Sequence, residues 1–287
     1  MASGCPLCGA RLVQSRTRPI LFQERRFRYL RCVGCRSLVC DPMPDDEVLA
    51  AMYGSEYGAL TSADYDVDSP RDTAAVLGFL NDHKPGTILD FGCGQGDLIR
   101  AIQRDTAWKP TGVEWDPGVS ASVQARTGAR VFTYADLVAG RVPLVDAVHL
   151  GDVIEHLTEL DRQIPLILSV VRPGGYVLAE GPLECGRALF EVVVRVTQAA
   201  RAEHPVSAPP THVLQASIAG QRGFFARHGL TERAFKVYEV DWPAPSRLRR
   251  QDLHHPRTLA LYLLRRLSAP LSRRPLWGNR YQYVGSL

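Results

Sequence analysis

Lysine is nearly missing from this 287-residue chain: Lys84, Lys109 and Lys236 are the only three among 34 basic residues. The arginine bias reflects genome composition as much as function and excludes little by itself. No apolar run approaches ~18 residues, which excludes a transmembrane helix. The start, Met1-Ala2-Ser3-Gly4-Cys5, has no charged stretch followed by an apolar one, so no secretory leader is expected. That points to a cytoplasmic, reducing compartment, with at most a peripheral contact to a membrane surface. Internal repeats and low-complexity tracts are also lacking. Apolar residues at 45% and charged residues at 22% exclude a disordered or fibrous chain.

What is present is a globular length, enough for one or two domains. The net charge of +4 hides a partition. Residues 1–40 carry eight arginines and one acid, and residues 241–287 carry nine arginines and two acids, so each end is +7 and the middle is −10. Two basic ends around an acidic body suggest an anionic partner.

The seven cysteines cluster at one end. Cys5-Pro6-Leu7-Cys8 and, after 23 intervening residues, Cys32-Val33-Gly34-Cys35 form two Cys-x-x-Cys knuckles. Each knuckle lets two thiolates reach one ion, and two of them complete tetrahedral sulfur coordination, which suits Zn²⁺. The bland alternative is four ordinary buried cysteines. A closed four-cysteine site is structural, so Cys5, Cys8, Cys32 and Cys35 would fold a small lobe. Cys40 is a spare, expected as a buried thiol. Arg25–Leu30 alternates polar and apolar residues like a strand, and Asp45 precedes an apolar-periodic stretch as a helix start.

From residue 87 onward strands alternate with helices, the pattern of a parallel sheet. Strands are expected at 87–91, 111–115, 130–134, 145–150, 176–180, 230–240 and 281–286. Helices are expected at 97–104, 117–127, 158–171, 184–201 and 217–228, the third stopped by Arg172-Pro173-Gly174-Gly175 and the last closed by Gly229. The segment Asp90-Phe91-Gly92-Cys93-Gly94-Gln95-Gly96 puts glycines between a strand and a helix, where the backbone turns tightly and approaches a ligand closely. Its Gly-x-Gly-x-Gly spacing is not the dinucleotide pattern. Asp90 would repel a pyrophosphate and suit a cation.

These features resemble the class I S-adenosylmethionine-dependent methyltransferases, and more closely the bacterial group with an N-terminal zinc ribbon. The likeness rests on Cys5–Cys8 with Cys32–Cys35, Cys40-Asp41-Pro42-Met43-Pro44, Tyr53-Gly54-Ser55-Glu56-Tyr57, the 90–96 motif, Gly112-Val113-Glu114, Asp152-Val153-Ile154-Glu155-His156-Leu157 and Arg172-Pro173-Gly174-Gly175. It implies an α/β fold: a Rossmann-like, seven-stranded, doubly wound sheet with a small N-terminal zinc ribbon. The expected divisions are a ribbon at 1–42, a helical linker or lid at 43–84 and a methyltransferase domain at 85–287. A basic insertion falls at about 241–280.

By the same resemblance, Gly92, Gly94 and Gly96 would wrap the methionine part and sugar of S-adenosylmethionine, with Asp90 toward its amino group. Glu114 would take the ribose hydroxyls, as a strand-end acid does in dinucleotide folds, with Asp116 as its rival. Asp136 would accept from the adenine amino group, with Leu137 beside the ring. Asp152 would lie at the mouth of the transfer site. A hydroxyl acceptor needs its proton removed, and His156 and His212 are the candidate bases. Some related enzymes hold a divalent metal with an acid-x-x-Glu-His pattern, matched in type by Asp152, Glu155 and His156, with His212 as a candidate further ligand. The alternative is that Glu155 caps a helix and His156 packs beneath it. His149 belongs to the fourth strand, and His83, His204, His228, His254 and His255 are expected at the surface.

The fourth strand lacks the Asn/Asp-Pro-Pro-Tyr/Phe turn that similar enzymes use for base amino groups, so adenine or cytosine amino methylation is disfavoured. The favoured reading is O-methylation of an anionic small molecule, sugar or lipid-linked glycan. The alternative is an RNA methyltransferase, although Phe22, Phe27 and Tyr29 are few aromatics for base stacking, and nucleic acid is the less expected partner. An amphipathic helix at about 257–267, basic on one face, would line a phosphate pocket, rest on an anionic membrane or simply pack on the sheet edge. Nothing in the sequence signals an oligomeric state.

Overall fold

The computed structural model describes residues 4–53, 70–240, 248, 254–268, 270 and 276–287. Ser55, Glu56 and Tyr57 of the resemblance, and Arg247, Arg249, Arg250, Arg273 and Arg274 of the basic segment, lie outside the described residues. The chain divides into two compact units: 1–44 with 182–223 and 236–281, and 45–181 with 224–235 and 282–287.

The first unit carries a six-stranded sheet. Its strands β1 (Leu12–Gln14), β2 (Ile20–Phe22), β3 (Arg25–Cys32) and β4 (Leu38–Asp41) come from the N-terminal segment. β3 alternates as its pattern predicts, with Phe27, Tyr29 and Cys32 buried. β1 and β2 both pair antiparallel with β3, which pairs antiparallel with β4. Two short strands the sequence did not announce complete the sheet from far along the chain. β10 (Val206–Ser207) pairs with β2, and β11 (Leu214–Gln215) pairs with β4. A two-residue strand has no period to read, so only its partner reveals it.

The second unit carries the seven-stranded sheet, in the order β12-β13-β9-β8-β5-β6-β7. Here β5 is Thr87–Phe91, β6 Lys109–Glu114, β7 Val131–Thr133, β8 Val145–Gly151, β9 Val171–Pro182, β12 Thr231–Tyr238 and β13 Arg280–Ser286. The pairs β5–β6, β5–β8, β6–β7 and β8–β9 are parallel. Parallel strands are covered on both faces, and the central ones are accordingly apolar: Ile88, Leu89, Ala147, Val148 and Val177 are all fully buried.

Helices α1 (Asp46–Met52), α2 (Pro70–Asn81), α3 (Asp97–Asp105), α4 (Pro117–Thr127), α5 (Tyr134–Val138) and α6 (Leu160–Leu168) belong to this unit. Asp45 caps α1 through the Val48 amide at 3.2 Å, as expected. α3 buries Ile99, Ala101 and Ile102, and Trp108 donates its indole N–H to the Leu80 carbonyl at 2.8 Å, tying β6 to α2. α4 has Asp116 as its cap, Pro117 in its first turn and Gly128 at φ +69° as its stop.

Two helix boundaries and the burial of two histidines differ from the sequence reading. α6 stops at Leu168, and Arg172-Pro173-Gly174-Gly175 lies inside β9, where the register with β8 shifts between Val145 and Ala147. A Pro-Gly-Gly run reads as a helix stop, but parallel pairing on either side draws it into the strand as an irregularity. The helix α7 (Leu189–Ala200) starts five residues later than 184, because 183–186 turns on the hydrogen bond from the Gly186 amide to the Leu183 carbonyl. His83 and His228, expected at the surface, are half-buried; His83 stacks on Phe79 and His228 meets Phe224 edge-on. α8 (Ile218–Arg227) and α9 (Pro256–Ser268) are the remaining described helices.

Candidate functional site

In an open parallel sheet, ligands bind at the carboxyl ends of strands where the chain order reverses. Here β5 has β6 on one side and β8 on the other, and the glycine loop leaves the end of β5. Gly92, Gly94 and Gly96 all hold positive φ, at +75°, +48° and +74°, which a side chain would strain. A Cβ on Gly92 would lie 2.9 Å from Val153, and one on Gly96 would lie 2.5 Å from Val123. A Cβ on Gly94 would meet no atom within 4 Å. The loop is therefore packed below and open at Gly94, the shape of a cradle.

Acids end the flanking strands. Glu114 accepts the Gly94 amide at 2.8 Å on one oxygen and the Trp115 amide at 2.6 Å on the other. Each oxygen keeps a second lone pair for a ligand hydroxyl. Asp116, the rival, spends Oδ1 on the Gly118 and Val119 amides as the cap of α4. Asp136 closes a capping box with Thr133, and its other oxygen takes Arg141 at 2.7 Å. Hydrogen bonds from the Thr133 backbone and side chain, then from Arg141, hold its pKa near 2. Leu137 is buried. Trp115, half of it exposed, stacks on Tyr134 at 3.9 Å between ring centres.

Asp90 does not stand alone. Its Oδ1 accepts from His149 Nδ1 at 2.8 Å, and His149 Nε2 donates to Glu180 Oε1 at 3.3 Å. All three groups are buried. Burial opposes a charged imidazole, but the hydrogen bonds and charges of Asp90 and Glu180 outweigh it and push the pKa up to about 10. His149 is thus an imidazolium held between two carboxylates. Gly151 makes the room, because a Cβ there would lie 2.5 Å from His149 Cε1. Sequence reading placed His149 in the fourth strand and missed this arrangement. Neither Glu180 nor the tertiary pairing of β5, β8 and β9 is marked by any motif.

Asp152 follows β8 at φ +49°, an uncommon backbone for a non-glycine residue and a feature of functional turns. Ile154–His156 is a 3-10 turn rather than a helix start, and Glu155 is buried in it. His156 Nδ1 lies 3.0 Å from the Tyr53 hydroxyl. Donor atoms of Glu155 and His156 lie within 4.8 Å of one another, a grouping that among the described residues does not include Asp152.

The first unit holds the other expected groups. His212 Nδ1 pairs with Glu184 Oε2 at 3.1 Å, and the His212 carbonyl accepts from the Tyr29 hydroxyl at 2.6 Å. Both His212 and Glu184 are about a quarter exposed. A histidine oriented by a carboxylate is the usual support of a general base. Glu184 was missed because only the 183–186 turn brings it there.

The four sulfurs of Cys5, Cys8, Cys32 and Cys35 lie within 4.8 Å of one another. Cys5–Cys35 measures 3.8 Å and Cys8–Cys32 measures 3.4 Å. Tetrahedral sulfur at ~2.3 Å from one ion demands separations close to these. The Cys35 amide donates to Cys32 Sγ at 3.4 Å, and the Ser37 hydroxyl stands 3.3 Å from Cys35 Sγ. Ser217, before α8, bonds Ser37 and the Cys35 carbonyl, which fastens the second knuckle to the start of that helix. A Cβ on Gly220 would strike the Ser37 hydroxyl. Cys40 is buried, and burial, then Asp41, pushes its thiol up to about 12.

The sheet order, the glycine loop after β5 and the acids at the ends of β5 and β6 define the class I S-adenosylmethionine-dependent methyltransferase fold. A family model described as a methyltransferase domain matches residues 66–221, over half of the chain, and the chain belongs to that family. A malonyl-[acyl-carrier protein] O-methyltransferase from Pseudescherichia vulneris is 29% identical over 144 residues, 47% of this chain and 55% of that protein. The chain spans about half the length of the curated relatives it matches. A SAM-dependent methyltransferase from Archaeoglobus fulgidus superposes with TM-score 0.51 at 13% identity, over 80% of this chain and 99% of that one. The plantazolicin methyltransferase BamL, in complex with a triazolic desmethylPZN analog and SAH, gives TM-score 0.51 at 14% identity over 84% and 94%. Those likenesses show the fold.

Proposed function

We propose that the chain is an S-adenosylmethionine-dependent methyltransferase that O-methylates an anionic small molecule, sugar or lipid-linked glycan. The observation that carries this is the glycine cradle at the switch point, bordered by Asp90 and Glu114. When bound, S-adenosylmethionine supplies an activated methyl group on a sulfonium. The residues present fit that group. Asp90, with His149 and Glu180, sets one net negative charge facing its ammonium, and His149 is a positioning residue that fixes the Asp90 carboxylate. Glu114 accepts from the ribose hydroxyls. Asp136, committed to its cap and to Arg141, fixes the turn beside the adenine, with Leu137 beneath and Trp115 and Tyr134 as a wall. Asp152 borders the transfer site.

A hydroxyl acceptor must lose its proton during in-line attack. His212 takes that proton in this reading. Glu184 holds the ring in its tautomer and stabilises the imidazolium. His156, hydrogen-bonded to Tyr53, orients the acceptor. The cysteine set is proposed to hold a structural Zn²⁺, which would supply folding energy and no chemistry, and thiolate ligands suit a reducing, cytoplasmic setting. The ribbon of 1–42, the 43–84 segment as a lid and the insertion at about 241–280 are proposed to serve acceptor recognition.

Calorimetry with S-adenosylmethionine, followed by a labelled-methyl screen over glycan, lipid and RNA pools, tests the reading. The chain is expected to bind the cofactor and label a glycan or lipid pool. Failure to bind overturns the activity, and labelling of RNA alone overturns the acceptor. His212→Ala is expected to cut turnover about 10²–10⁴-fold with cofactor affinity kept. Glu184→Gln is expected to shift the acid limb of the pH–rate profile. Unchanged turnover in His212→Ala would move the base role to His156.

A further inference from the structure

Among the described residues, α7 and α9 carry an apolar surface that the proposed reaction does not use. α7 reads Leu-Phe-Glu-Val-Val-Val-Arg-Val-Thr-Gln-Ala-Ala and has no buried residue, although half of it is strongly apolar. Val192 and Val196 lie one turn apart and are 38% and 63% exposed. On α9, Leu263 and Leu267 lie one turn apart and are 52% and 67% exposed. The two helices belong to one compact unit and pack against each other. Exposed apolar side chains on two packed helices suit an interaction site.

α7 is held to the fold by polar contacts as well. Arg195 donates to the Glu184 carbonyl at 2.9 Å and the Gly186 carbonyl at 2.8 Å. Glu191, one turn away, is pushed up to about 8 by burial and by Glu184, so it adds little negative charge. Arg195 thus anchors the helix, and Val192 and Val196 face out.

We propose that this two-helix face docks on an anionic lipid bilayer, lying in its interface. Charge names the occupant. Residues 246–280 hold nine arginines and one acid, and Arg187, Arg201 and Arg266 are exposed on or beside these helices. Leucines and valines bordered by arginine suit the boundary between acyl chains and anionic headgroups. A second copy would bring the same positive segment against itself, which charge repulsion disfavours. No described helix is long and apolar enough to cross a membrane, so the face rests on the surface. An enzyme held there would meet acceptors carried on lipids.

The test is sedimentation of the full chain with vesicles of phosphatidylcholine alone or with roughly one third phosphatidylglycerol. The chain is expected to pellet with the anionic vesicles only, and raised salt is expected to release it. The double variant Val196→Glu with Leu267→Glu is expected to lower the bound fraction at least tenfold while keeping the melting temperature. Cofactor affinity, read by calorimetry, is expected to stay unchanged in that variant, which separates this test from the methyltransferase reading. Absence of pelleting, or pelleting that the double variant does not change, overturns the proposal. So does light scattering that shows a dimer which the double variant dissociates, since a second copy would then cover the face.

Discussion

The two units bury charge by different means. In the first, four cysteine sulfurs converge within 4.8 Å, with serine and backbone donors beside them. In the second, two buried carboxylates converge on an imidazolium of the same chain. A buried charge is tolerable only when paired. In the proposed reading the first cluster leaves its pairing to a metal ion that can be removed. The second has its counter-charge built into β8, and it stays with the protein whether or not a cofactor is bound. If zinc fills the cysteine set as proposed, the contrast separates a lobe whose folding depends on supply from a site that is set in advance.

Chelation should break the comparison most severely. Structural zinc supplies ~10–16 kcal/mol in small zinc-dependent folds at neutral pH. Metal analysis is expected to find about one zinc per chain, and chelator is expected to erase hydrogen-exchange protection in β1–β4 while β5, β6 and β8 stay protected. Equal loss in both regions would show that the units do not unfold separately.

His149→Gln comes next. It leaves Asp90 and Glu180 without their cation, at a cost of about 3–5 kcal/mol in chemical denaturation. Because the folded pKa near 10 lies above the ordinary value of ~6.5, the histidine's stabilisation is whole below about pH 6.5. It is lost as pH rises through about 10, so the gap between wild type and variant should narrow over that window. A gap that stays flat would mean that His149 is neutral.

Glu114→Gln should act on the ligand more than on the fold. Cofactor affinity is expected to fall roughly tenfold or more in calorimetry, as a charged hydrogen-bond acceptor is lost. The smallest effect belongs to Thr133→Ala, which removes the cap of α5 and should cost about 1 kcal/mol, seen as a lower melting temperature with affinity nearly kept.

Much of the site was legible because short-range rules govern it. Glycines at 92, 94 and 96 answer to backbone torsion, Asp45 to capping, and Cys-x-x-Cys to ligand bite. Asp116 could be told from Glu114 only by which amides each reaches, since the two lie two residues apart between β6 and α4. Glu180 and Glu184 carried no local signal, as each acquires its role from a residue 31 or 28 positions away.

By itself the sequence determined the class: periods of two and 3.6 dictate the alternation of strands and helices, and the glycine–acid spacing dictates the cradle. Tertiary structure alone decided that residues 206–215 complete the N-terminal sheet, that His149 bridges two carboxylates and that α7 turns its valines outward. These depend on which strands and helices become neighbours. That choice is made by packing over the whole unit, where the pairing partner of a buried charge is set by distance in space and not along the chain.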